Sequence, residues 1–102
     1  MSDIKKKYLI YLKSQKDHEH DSDNVYGFYL GKTYQKDYQI FPVSSMNEDT
    51  VITEGKFYKT KNAAIHAAKR LLFKCAYVHS YEIIEFPSDN FSEYVRNVYT
   101  NN

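Results

Sequence analysis

The chain of 102 residues has one cysteine, two prolines, three glycines and no tryptophan. A single thiol excludes an internal disulfide and a four-cysteine zinc site. No Gly-rich phosphate loop, nucleophile elbow or zinc-protease signature is present. The apolar runs Tyr8 to Leu12 and Ala63 to Ile65 fall far short of the ~20 residues that span a bilayer. The stretch after Met1 to Lys7 is likewise too short for a secretory signal core. Acid is missing over a long segment, with none between Glu54 and Glu82. Together these absences predict one soluble cytoplasmic domain, with no cofactor and no metal centre.

A hydrophobic fraction of 42% with 17% aromatics is too rich for a disordered chain. Fourteen Lys and Arg against thirteen Asp and Glu leave a net charge of +1, and that balance conceals sorting. Asp17, Glu19, Asp21 and Asp23 crowd together, whereas Lys56, Lys59, Lys61, Lys69, Arg70 and Lys74 occupy the acid-free segment. An acidic loop over 14–24 and a basic face are expected.

The run Lys7 to Lys13 predicts a central strand covered on both sides, because its apolar residues do not alternate with polar ones. Val25 to Lys32 predicts a second strand that ends at Gly31, with Gly27 marking a bulge or a close backbone approach. Tyr38 to Val43 predicts a third, placed at an edge because Pro42 lacks an N–H. Ser44 to Thr50 reads as a loop, and Val51 to Thr53 with Lys56 to Tyr58 as two short extended pieces around Glu54-Gly55. Thr60 predicts an N-cap for a main helix over about 61–74, whose stripe is Ala64, Ile65, Ala68, Leu71, Leu72 and Cys75.

Val78 to Phe86 alternates as a strand, with Val78, Ser80, Glu82, Ile84 and Phe86 on one face. Asn90 and Glu93 suggest a capping box for a short C-terminal helix reaching Tyr99. The predicted class is α+β: an antiparallel sheet of four to five strands, one main helix on a face and a short terminal helix.

Three constellations bear on chemistry. His18 and His20, among Asp17, Glu19, Asp21 and Asp23, supply metal-ligand types, but neighbours on one short loop cannot easily enclose an ion. They read instead as a solvated loop, or as an acidic epitope. Cys75 lies at the C-terminal end of the helix, where the dipole disfavours a thiolate, and Glu82 and Glu85 fall on opposite strand faces. No catalytic residues are assigned, and the chain is expected not to be an enzyme. Lys59, His66, Lys69, Arg70 and Lys74 project away from the helix stripe, with Tyr58 and Phe73 nearby. Such a mixture holds a nucleic-acid backbone or an acidic protein surface; the ordinary alternative is a solvated helix face. Eleven tyrosines exceed what one small core satisfies, so Tyr26, Tyr29, Tyr34, Tyr38 and Tyr58 are read as an aromatic binding region.

The stretch Lys56-Phe57-Tyr58-Lys59-Thr60-Lys61-Asn62-Ala63-Ala64, with Ala67-Ala68 and Tyr81-Glu82-Ile83-Ile84, resembles small phage and mobile-element proteins of AT-rich Gram-positive bacteria. That group includes anti-CRISPR proteins that block Cas9. The resemblance implies a non-enzymatic inhibitor that occupies a surface of a host protein or ribonucleoprotein, Cas9 or its guide-RNA complex among them. It carries over no residue roles. The residues themselves nominate Tyr26, Tyr29, Tyr58, Lys59, Lys69, Arg70 and Lys74 as partner contacts, with Asp17, Glu19, Asp21 and Asp23 as a second epitope. A small nucleic-acid-binding regulator using the basic helix face is the alternative.

Overall fold

A computed structural model describes residues 6–14, 27–76 and 78–95. It is an α+β fold in the order β1 (Lys7–Ser14), β2 (Phe28–Lys36), β3 (Gln39–Ser45), α1 (Glu48–Glu54), α2 (Lys61–Lys74), β4 (Val78–Phe86) and α3 (Phe91–Tyr94). The four strands form one antiparallel sheet in the order β3-β2-β1-β4. β1 is interior as its unbroken apolar run requires, and Pro42 lies on the edge strand β3. Among the described residues no helix is long and apolar enough to cross a membrane.

β1 supplies two cores. Ile10 and Leu12 pack with Ala64, Ala68, Leu71, Cys75 and Val78 beneath α2. Leu9, on the opposite face, packs with Phe28, Val51, Ile84 and Phe91 beneath α1 and α3. Burying Leu9, Ile10, Leu12, Phe28 and Val51 completely contributes roughly 1.5–3 kcal/mol each. Thr60 caps α2 as expected, its hydroxyl accepting from the Ala63 N–H at 3.1 Å, and the fully buried Ala64 and Ala68 let the helix lie close to the sheet.

The segment Val51 to Thr53 is helical, not extended, and the expected loop at Ser44 to Thr50 already enters that helix. β-branched residues favour strands locally, but the Asn47 side chain caps the turn by accepting from the Thr50 N–H at 3.0 Å. Glu48 and Asp49 suit the positive end of the helix dipole, and Val51 is fully buried against the sheet. Tertiary burial overrides propensity here.

The companion piece, Lys56 to Tyr58, is wedged into the sheet. Tyr8 and Tyr58 exchange backbone hydrogen bonds of 2.9 Å, while the Lys56 N–H donates to the Tyr29 carbonyl at 3.1 Å. β1 meets β2 at Tyr11 opposite Phe28, and the two then part around this wedge. β2 does not end at Gly31. It bends there, at φ +85°, and the register against β3 shifts between Tyr29 and Thr33. Beyond the bend, Thr33 to Pro42 form a hairpin arm closed by Asp37 and Tyr38, at φ 53° and 67°.

Two other expectations are corrected. Val78 joins the α2 side, because a bulge between Ser80 and Val78 opposite Lys13 and Ser14 breaks the strand's alternation. Asn90 has helical backbone angles and no side-chain capping bond, so the capping box does not form. α3 ends at Tyr94, where Val95 turns extended, and the remainder of the expected helix lies outside the described residues.

Gly27, just before β2, is a close backbone approach as expected: a Cβ there would meet the Ser45 carbonyl oxygen at 2.6 Å and Met46 Cγ at 2.8 Å. Gly27→Ala is therefore expected to destabilise by about 1–3 kcal/mol through overpacking. Urea denaturation with an unchanged midpoint would refute that packing.

Candidate interaction surface

α2 presents its outer face to solvent because its inner face is committed to Ile10 and Leu12. His66, Lys69, Arg70 and Lys74 are exposed on it, and Phe73 is 94% exposed. Phe73 follows Arg70 by three residues and Lys69 by four, a spacing that brings all three side chains together on a helix surface. Among the described residues the ion pairs are Lys6–Glu85 at 3.3 Å and Lys13–Glu82, so Lys69, Arg70 and Lys74 have no carboxylate partner there. The acids of α1 (Glu48, Asp49 and Glu54) belong to the opposite face of the sheet, where Val51 anchors their helix. The cations of α2 and the acids of α1 thus lie on opposite sides of the sheet. The acid-free segment on one side and the acid-bearing helix α1 on the other produce that separation together.

Of the other nominated contacts, Lys59 is exposed beside the N-terminus of α2. Tyr29 and Tyr58 are half-buried and pack against the α2 core, so neither is a freely presented ring. Burial pushes both phenols above their ordinary value; in Tyr58 the neighbouring Tyr29 adds to this, while the Arg70 charge opposes it. The Lys56 ammonium lies 5.5 Å from the centre of the Tyr58 ring, a cation–π contact that extends the basic surface to the wedge. Tyr26 and the acidic loop with Asp17, Glu19, Asp21 and Asp23 lie outside the described residues.

The described tyrosines divide by register. Tyr8, Tyr11, Tyr29, Tyr58, Tyr81 and Tyr94 are half-buried against one core or the other, whereas Tyr34 and Tyr38 are exposed on the arm. Tyr34 stacks on Phe41 at 5.5 Å between ring centres, and Tyr38 is 99% exposed. The alternating pattern places Tyr38 at the start of a strand; only the hairpin pairing makes it a tip.

Burial raises the Cys75 thiol above its ordinary value against the opposing pull of Lys74, which keeps it protonated at neutral pH. No group of three His, Cys, Asp or Glu among the described residues could hold a metal ion. A concavity of about 240 Å³ between the start of α2 and the end of β4 is lined by Tyr8, Lys61, Ile83, Ile84, Glu85, Ser88 and Asn90. Its one carboxylate, Glu85, pairs with Lys6. Glu82, on the other face of β4, pairs with Lys13 and accepts from the Tyr94 hydroxyl at 2.6 Å. No family model matches this chain, and no curated protein or solved structure is significantly similar to it.

Hydrogen bonds from Lys13 and then Tyr94 hold the Glu82 carboxyl below its ordinary range, and the bond to Glu82 raises the Tyr94 phenol. A depressed carboxyl contributes stability that is present above its unfolded pKa and is lost as pH falls through the folded value. Glu82→Gln should consequently lower the Tm at neutral pH, and the gap from the unaltered protein should close as pH falls below about 4. A gap independent of pH, followed by circular dichroism, would remove Glu82 as a titrating anchor of α3.

Proposed function

We propose that the protein is a non-enzymatic binding module that seats the outer face of α2 on nucleic acid exposed by a larger assembly. The observation that carries this reading is the exposed Phe73 ring among Lys69, Arg70 and Lys74, three cations without carboxylate partners among the described residues. Cations of this kind release counterions from phosphates, and a ring among them offers a face on which any base stacks. Sorted acids on the far side orient the approach, since they repel the same backbone. Exposure of a large apolar ring is otherwise unfavourable, and covering Phe73 on binding contributes roughly 1.5–3 kcal/mol.

This is the chemistry that an inhibitor of a ribonucleoprotein would use, the role implied by the resemblance to mobile-element proteins, with a Cas9–guide complex as its named case. An autonomous nucleic-acid regulator would use the same face. The two differ in whether RNA held in the assembly is bound in preference to the same RNA free in solution.

Fluorescence anisotropy with a labelled single-stranded RNA tests the shared premise. Affinity should fall steeply with salt, and the triple variant K69E/R70E/K74E should bind at least tenfold more weakly, with the slope of log K against log salt reduced by about 2. Equal binding by the variant and the unaltered protein at low salt would refute the α2 surface.

A further inference from the structure

We propose that the β2–β3 hairpin arm is a stacking prong, with Tyr38 at its tip lying against an unpaired base of single-stranded nucleic acid. This rests on the reading of α2 as the phosphate-binding face, and it adds the element that selects single strands.

Three observations carry it. First, the turn is built against its own backbone preference. A two-residue hairpin loop with positive φ at both positions favours Asn-Gly or Asp-Gly, and Asp37 suits the first position. Tyr38 does not suit the second: a bulky side chain at φ 67° is disfavoured. Its ring is 99% exposed, so no contact within the described fold offsets that cost. Strain kept at an exposed ring is a reason to look for an external contact.

Second, the arm and the basic face share one end of the molecule. The Ala76 N–H, just past the end of α2, donates to the Ile40 carbonyl at 2.8 Å. Tyr38 is two residues before Ile40, roughly 7 Å along an extended chain. The same end of α2 carries Phe73 and Lys74.

Third, the surroundings of Tyr38 suit a base better than a protein pocket. The rung next to the turn pairs Lys36 with Gln39, both exposed, and the other rings of the arm, Tyr34 and Phe41, stack on each other further down it. An exposed ring flanked by polar side chains is a stacking platform. Asp37 at the tip would repel phosphate, which divides the work: the prong meets the base and α2 meets the backbone.

The test uses the full chain with a labelled single-stranded oligouridine and an RNA duplex of equal length. Tyr38→Gly replaces the ring with the residue the turn prefers, so its melting temperature should equal or exceed that of the unaltered protein. Its affinity for the single strand should drop about tenfold with an unchanged salt slope. Tyr38→Phe should restore binding, and duplex affinity should be untouched by either variant.

Equal single-strand affinity of Tyr38→Gly and the unaltered protein, with K69E/R70E/K74E still impaired, overturns the prong and leaves the α2 surface standing. An equal loss on the duplex overturns selection of unpaired bases. No affinity of the unaltered protein for either RNA overturns the α2 surface, and the prong with it.

Discussion

The constraint on which this molecule depends is that one strand must satisfy two cores. β1 directs Leu9 to one side and Ile10 and Leu12 to the other, all effectively removed from water. Both faces of the sheet must then be covered, and the described residues offer one helix of useful length. α2 covers one side. The other is assembled from α1, α3 and a cluster of aromatic edges in which Phe28, Phe91, Tyr11 and Tyr94 meet at ring-centre distances from 4.8 to 6.2 Å. Edge-on and tilted contacts of this kind favour a defined arrangement over a merely greasy one.

The same demand shapes the arm. To bring α1 under the sheet and then return to start α2, the chain passes Lys56 to Tyr58 between β1 and β2. β2 is forced outward at the Gly31 bend, and its outer half can pair with β3 alone. An isolated two-stranded ribbon is marginal in water, so its persistence draws on tethers to the rest of the fold. The bond from Ala76 to Ile40 is one, and Gly27 against Ser45 and Met46 is another. Packing therefore leads to topology, and topology places Tyr38 beside the end of the basic helix.

Much of this was legible in the order of residues. The unbroken run at β1, the Thr60 cap, the α2 stripe and the edge position of Pro42 are local signals whose physical causes act locally, and they predict an α+β sheet of four to five strands, of which the fold has four. The cations of α2 were legible for the same reason, since a helix with one apolar stripe has little choice about what it exposes. Features decided by distant contacts were not legible. α1 depends on Val51 finding Leu9 and Phe28, against the strand preference of Val51 and Ile52. Tyr29 and Tyr58 differ from Tyr38 only in where the wedge and the turn put them, and composition does not distinguish a tyrosine that closes a core from one at a hairpin tip. The Asn47 cap before Glu48 and Asp49 was a signal that could have revealed α1.

The central claim is that one end of the molecule, where α2 finishes and the hairpin turns, meets nucleic acid while the acidic face stays free. Amide chemical-shift mapping during titration with single-stranded RNA tests it most directly. The account predicts progressive shifts confined to residues 66–76 and 36–40, with Glu48 to Glu54 and the Lys13–Glu82–Tyr94 group unmoved. Shifts centred on α1 or on the outer edge of β4, with the end of α2 silent, would contradict it.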